Sequence, residues 1–444
     1  MKSRKKAVIL GGGLAGLSCA YHLDPKRFEH AVIEKSGSVG GTARSVTRDG
    51  FTFDFTGHLL HLHSDYTRNL ITRLLKGNLV RCRRRAAIHS QGVLTPYPFQ
   101  VHTYGLPKRV VRECVEGFRE AVRRFSDPAL RITSQPFRDW SRRTFGDGIH
   151  RHFMKPYNEK LWQTDLKEMT AEWCGMFVPQ PGLEDVVRGA RSRPTRSWGY
   201  NTHFIYPRRG GIQVLPEALA RGLNVRLGTS VEEVDWRSRK ARLSSGEWLD
   251  YDHLVSSAPL PELLKRMKGL HKDLEALAGR LRWTSVLCVN LGVDRPKISD
   301  KSWIYFPEKK YRFYRVGFPM NFTPHAVPKG TSSMYVEVSY RPGSPPDWKD
   351  PGFLKRIRRD LETAGILRKS DRFLTSDFIP IRYAYVVYTP DRKALTGRIF
   401  DFLESVGIFS IGRYGEWKYS FMEEAILDGK KAAERLAGGE AGPA

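Results

Sequence analysis

The sequence predicts an α/β protein, with a parallel-sheet domain assembled from discontinuous segments and interrupted by a helical insertion and an antiparallel-sheet second domain. Three observations carry that expectation. Residues 7–44 run from an apolar strand through glycines 11, 13 and 16 to a helix and a second strand. Apolar strands ending in small residues return far downstream, at 254–260 and again from 407. Between these segments lie helical periodicity from about Lys108 to Arg196 and alternating aromatic and β-branched residues over 261–395.

The first unit can be justified residue by residue. Ala7 to Leu10 is a short buried strand, and Leu14 to Leu23 continues at helical spacing. Between them Gly11, Gly13 and Gly16 form G-x-G-x-x-G. Gly11 permits the tight turn, Gly13 lets backbone approach a pyrophosphate, and Gly16 lets helix and strand pack closely. The helix N-terminus offers free N–H groups and a positive dipole end to phosphates. The strand Ala31–Ile33 ends at Glu34, eighteen residues after Gly16, with Lys35 beside it. Glu34 suits ribose hydroxyls, so this is a Rossmann-type dinucleotide site; spacing alone leaves NAD open. Gly40, Gly41, Thr42 and Arg44 follow. A second glycine pair followed by an arginine resembles the extended fingerprint of FAD-binding flavoproteins of the amine oxidase type. That resemblance implies FAD, with these residues holding its diphosphate and approaching the flavin.

Composition bounds the rest. The 444 residues suffice for two or more substantial cores. A hydrophobic share of 40% and a mean hydropathy of −0.45 read as a soluble protein. No apolar run approaches the roughly eighteen residues of a membrane span. MKSRKK leads straight into the first strand, which argues against a signal peptide and for a cytoplasmic protein. Five scattered cysteines without CxxC spacing argue against a disulfide framework or a metal site. Seventy-four basic against 47 acidic residues give a net charge of +27, which attracts anionic substrates or polyanions. No nucleic-acid-binding signature accompanies that charge.

Further on, FTFDFTGHLLHLH (51–63) alternates Phe51, Phe53 and Phe55 as a half-buried strand would, then presents Gly57 and His58, with His61 and His63 beyond. No carboxylate or cysteine nearby completes a metal site. A strand ending in Gly-His with another His three residues on resembles UDP-galactopyranose mutases, a resemblance that places Gly57 and His58 against the flavin. TPYPFQ (95–100) resembles the same family's entry into its substrate domain, with Gln100 where the family has asparagine. YxEKxWxxDxKE (157–168) resembles the family's substrate segment, whose tryptophan, here Trp162, stacks on the uracil base; a looser form occurs in protoporphyrinogen-oxidase-like proteins. The run Arg188, Arg191, Arg193, Arg196 before Tyr200 resembles the family's diphosphate-binding arginine and tyrosine; Arg188 is the candidate carried forward, and which arginine corresponds stays open. Arginine suits this role because its planar fork meets phosphate oxygens bidentately. Arg315 on a strand is a further phosphate candidate, and Tyr385 and Tyr388 compete for one tyrosine role. Finally Gly412, Arg413, Glu416, Trp417, Lys418, Tyr419 and Met422 match the mutase almost position by position, with Phe421 where the family has an acid. The match implies Arg413 beside the flavin, Tyr419 on the diphosphate, and Met422 on a helix whose N-terminus favours a reduced, anionic flavin.

The resulting expectation is an FAD-binding domain of residues 1–90, 205–260 and 396–436, a mainly helical domain of 91–204, a β-rich substrate domain of 261–395 and a disordered tail at 437–444. The mutase resemblance implies interconversion of pyranose and furanose forms of a nucleoside-diphosphate sugar through a reduced-flavin N5–sugar adduct. His58 and Arg413 are its catalytic candidates, with FAD and no metal and no specific nucleic acid; a homodimer is an open option. The alternative is an oxidoreductase of the amine oxidase or protoporphyrinogen oxidase type that passes hydride to FAD. A third reading is a basic, non-enzymatic scaffold.

Overall fold

The computed structural model describes residues 3–125, 134–192, 198–199 and 201–438. Tyr200, Arg193, Arg196 and the last six residues of the expected tail lie outside them.

A five-stranded parallel sheet organises the end that holds the glycine turn, in the order Ile408–Ser410, His253–Ser256, Lys5–Leu10, Phe28–Ile33, Val225–Arg226. Its strands are apolar runs because helices cover both faces. The central strand is exposed at Lys5 and Lys6 and buried from Ala7 to Leu10. Helix Leu14–His22 leaves the glycine turn and packs against the closing helix Met422–Leu436. The two approach closely at Gly429, where a Cβ would lie 2.3 Å from the Ala15 carbonyl oxygen.

The second sheet has seven strands, in the order Phe373–Val386, Trp283–Val293, Ser332–Tyr340, Arg315–Gly317, Trp303–Tyr305, Ala86–Ser90, Val93–Pro96. Every pairing is antiparallel except Trp303–Tyr305 with Ala86–Ser90, which is parallel. Residues 86–96 thus join strands more than 200 positions away. The helical insertion comprises Lys108–Arg124, Phe137–Ile149, a π-helical turn His150–Met154, Lys155–Trp162 and Leu183–Arg191. One extended core links the insertion to both sheets through Phe137, Trp140, Trp162, Tyr314 and Trp417, among others. All five cysteines are free and buried. Among the described residues no helix is long and apolar enough to cross a membrane.

Candidate active site

A cavity of about 710 Å³ is lined by the two sheets' strand ends and the helical insertion. At its nucleotide end Gly11 turns with φ +97°, where a Cβ would lie 2.6 Å from Ser257 Oγ. A Cβ on Gly16 would lie 2.1 Å from the Gly11 carbonyl oxygen. Neither position admits a side chain. Gly13 differs: a Cβ there would meet only Gly41 Cα, at 3.9 Å. The space over Gly13 is therefore free of protein and suits a ligand. Gly13 and Gly40 bridge backbone to backbone, and Gly13 caps the helix without a side-chain acceptor. The first-turn N–H groups open on the cavity, as an anion requires. Glu34 accepts from the Gly12 and Ser36 amides, each at 2.8 Å. A carboxylate has roughly four acceptor sites, so Glu34 retains capacity for ribose hydroxyls. Lys35, Thr42 and Arg44 line the same end, with Arg44 donating to the Gly41 carbonyl at 2.8 Å and lying over the Phe55 ring.

Gly57, His58, Gly412, Arg413, Tyr419 and Met422 converge on the same cavity from segments some 350 residues apart. Gly57 is pressed against Tyr335, whose Oη would be 2.3 Å from an added Cβ; Gly412, with φ +76°, faces Ala15 Cβ at 2.6 Å. Burial first, then the neighbouring Arg413 and Arg315 charges, lower the His58 imidazole to about 4, so it is neutral near pH 7. Arg413 donates to the Ser420 carbonyl and, at 3.1 Å, to the Ala384 carbonyl. Its guanidinium lies 4.8 Å from the Tyr419 ring and 5.6 Å from those of Tyr385 and Tyr414. Among the described residues it has no carboxylate partner. Arg315 is held instead by a fork on the fully buried Glu337, one arm measuring 2.7 Å. Tyr385 and Tyr419 stack with centroids 6.1 Å apart, and Tyr385 Oη lies 3.3 Å from Tyr314 Oη.

Several expected contacts are redistributed. Tyr385 lines the cavity, whereas Tyr388 is buried behind it, its hydroxyl accepting from the Tyr419 amide at 2.8 Å. Gln100 lines the cavity and donates to the Pro179 carbonyl at 2.7 Å. Trp162 does not line it. Its ring is fully buried, donates to Asn158 Oδ1 at 3.2 Å and packs on Trp173 at 4.9 Å. Helical geometry is the reason: Tyr157, Asn158 and Leu161 share the cavity face, and one further residue turns Trp162 into the core. Tyr157, stacked on Phe153 at 5.3 Å, takes the wall position expected of Trp162. Arg188 is likewise absent from the cavity; it is exposed on its helix and 3.9 Å from Asp185.

Phe421, standing where an acid was expected, lines the cavity and caps the closing helix, its amide donating to Glu424 at 3.3 Å. Glu423, one residue into that helix, is buried and accepts from the His63 and Ser64 amides and from Thr67 Oγ1. It therefore ties the loop carrying His58 to the helix. Sequence reading missed Tyr157, Glu337 and Glu423 as site-building residues. For Glu337 a signal existed: a lone acid inside the apolar run SMYVEVSY. Among the described residues no group of three His, Cys, Asp or Glu side chains is arranged to hold a metal ion.

With this geometry in view, comparison with known proteins is informative. The family profile of flavin containing amine oxidoreductases matches residues 14–437. A 4,4'-diapolycopene oxygenase of Methylomonas sp. is 22% identical over 350 residues, 70% of this chain and 67% of the relative. Coproporphyrinogen III oxidase of Bacillus subtilis (strain 168) is 20% identical over 370 residues, 76% of this chain and 77% of that one. Among solved structures, a reduced UDP-galactopyranose mutase superposes with a TM-score of 0.91 at 27% identity, covering 98% of this chain and 96% of its own. A putative protoporphyrinogen oxidase from Exiguobacterium sp. 255-15 gives 0.72 at 19%, covering 98% and 99%, and shows the shared fold.

Proposed function

The chain belongs to the flavin containing amine oxidoreductase family, and from that premise we propose that it is an FAD enzyme interconverting pyranose and furanose forms of a nucleoside-diphosphate sugar. The observation that carries the reading is Arg413, a largely enclosed guanidinium ringed by tyrosines, held by two backbone carbonyls and the Tyr414 hydroxyl, with no carboxylate partner among the described residues. A buried cation without a counter-ion is costly unless a ligand supplies one, and a diphosphate does so. The likeness to a reduced UDP-galactopyranose mutase supports the same reading.

FAD would be held by the backbone at Gly11, Gly13, Gly16, Gly41 and Thr42, with Glu34 on ribose and Arg44 at the diphosphate. In its reduced form it supplies a nucleophilic, electron-rich ring. The remaining work belongs to the protein. Arg413, Tyr385 and Tyr419 bind the sugar diphosphate and orient the anomeric carbon toward the Gly57–His58 loop. Neutral His58 offers a hydrogen bond without adding charge. The N-terminus of the closing helix at Met422 favours negative charge beside it, and Tyr157 on Phe153 gives a base a face to stack on. Aromatic walls exclude water.

The test is a titration of flavin-loaded protein with UDP, GDP and UDP-sugars, oxidised and dithionite-reduced, following flavin absorbance. Micromolar binding, tighter in the reduced form and followed by ring-contraction product, is expected. No nucleotide response in either state overturns the proposal. The oxidase and oxygenase names of the curated relatives, with the aromatic wall of Tyr97, Phe177 and Phe421, favour a second reading as a hydride-transferring oxidoreductase. It predicts flavin reduction by an apolar substrate.

A further inference from the structure

On the far side of the helix that walls the main cavity lies a second concavity of about 440 Å³. Its rim carries five cations, Arg138, Arg142, Arg151, Lys155 and Lys167, against three carboxylates, Asp147, Glu159 and Asp165. Part of this charge is compensated internally. Arg142 forks onto Asp147, Arg138 forks onto Asp139, and Asp165 accepts from the Lys167 amide at 2.9 Å. The rest is not. Arg151 shares Glu113 with Arg109 and His152. Lys155 reaches Glu159 only at 4.0 Å, and Lys309 shares that carboxylate at the same distance. The Lys167 ammonium has no acidic partner among the described residues. His150 forms part of the lining as a neutral group, its Nδ1 2.6 Å from Ser141 Oγ. Three cations with surplus charge thus surround one hollow.

The hollow is mechanically joined to the main cavity. The turn His150–Met154 is π-helical, its last carbonyl bond running from the Lys155 amide to His150, a rare geometry often found at functional sites. Its His150 and Arg151 line the hollow, and its Phe153 and Met154 line the cavity. The following helix divides likewise, Lys155 and Glu159 facing one side, Tyr157, Asn158 and Leu161 the other. A shift of Arg151 or Lys155 toward a bound anion therefore displaces the segment that carries Phe153 and Tyr157.

We propose that this hollow is a second binding site, for a small anion of the phosphate or diphosphate class, and that its occupancy is transmitted to the main cavity through the turn the two share. The binding claim stands independently of the function proposed above; the transmission claim rests on nucleotide binding in the cavity.

The experiment is calorimetric titration of flavin-loaded protein with inorganic pyrophosphate at constant ionic strength, with and without saturating UDP. Wild type is compared with Arg151→Ala/Lys155→Ala/Lys167→Ala and with a control lacking three exposed cations elsewhere, Lys355→Ala/Arg359→Ala/Lys369→Ala. Wild type and control are expected to keep a pyrophosphate site that UDP does not displace, and the first variant to lose at least tenfold in affinity there. Unchanged binding in that variant, an equal loss in the control, or complete displacement by UDP would each overturn the site. Transmission predicts that pyrophosphate changes UDP affinity by about fivefold or more in wild type, beyond any competition seen in the first variant. Equal changes in the two proteins overturn transmission. Should UDP not bind at all, the function proposed above fails, while the pyrophosphate comparison between wild type and variant still decides the site.

Discussion

Arg413 is held by the carbonyls of Ser420 and Ala384 and by the Tyr414 hydroxyl, with no carboxylate partner among the described residues, so its charge is left for whatever enters the cavity. Replacing it with methionine should weaken UDP binding by about 1.5–3 kcal/mol, the usual worth of a hydrogen bond to a charged group. Unchanged affinity in a flavin titration would remove Arg413 from the diphosphate. Tyr157 and Trp162 make a paired prediction, because one lines the cavity and the other is sealed behind it. Trp162→Ala should cost about 3–5 kcal/mol of stability in urea unfolding, as large buried aromatics do. Tyr157→Ala should instead lower nucleotide affinity by about 1–3 kcal/mol, the range for a lost base stack. If Trp162→Ala destabilises little and abolishes binding, the assignments must be exchanged.

The glycine turn and its helix act as one element, and its glycines have different tasks. A methyl group at Gly16 would be driven to 2.1 Å from a backbone oxygen, whereas at Gly13 it would enter free space. Gly16→Ala is therefore expected to prevent folding of the parallel sheet, and Gly13→Ala to fold and lose its flavin. Far-ultraviolet circular dichroism and flavin content, measured on both, check this; a Gly13→Ala protein that stays fully loaded would place the cofactor elsewhere. The closing helix is the second such element. Glu423 holds it to the loop after Gly57 through several amide and hydroxyl donors, which keeps its carboxyl below the ordinary range despite burial.

At the scale of the whole molecule, burial lowers several histidines, four of them strongly: His58, His61, His102 and His150 are each lowered to about 4. Between pH 6.5 and 4 the unfolded chain binds these protons and the folded one does not, so stability falls on acidification. Asp54 and Asp428, raised by burial to about 6, act in the opposite sense over the same window. Four groups against two leave a net loss of roughly 2.7 kcal/mol per pH unit from the linkage relation, and the burial that lowers His22, His30 and His253 acts in the same direction. Thermal midpoints at pH 7 and 5 check the sign; a midpoint that holds or rises would mean that these histidines titrate normally. His150→Gln should flatten the dependence. Much of the architecture was legible beforehand because it is written locally: glycines at turn positions, apolar runs at strand length, acids at strand ends. The glycine turns, Glu34, Arg44, Gly57, His58, Gly412 and Arg413 all come to one cavity. The substrate side was less legible. Whether Trp162, Leu161 or Tyr157 faces the cavity depends on the rotation of one short helix, and periodicity does not report absolute rotation.

The sequence by itself thus determined the nucleotide-binding half of this protein, since each requirement there is a backbone requirement met by glycines and by an acid at the end of a strand. The tertiary structure alone decided which side chains share the remainder of the cavity. It paired Arg315 with Glu337, left Arg413 without a carboxylate partner among the described residues, put Tyr157 on the wall and Trp162 behind it, and joined residues 86–96 to strands more than 200 positions away. These are long-range packing outcomes, and they depend on how helices and sheets dock rather than on any local pattern.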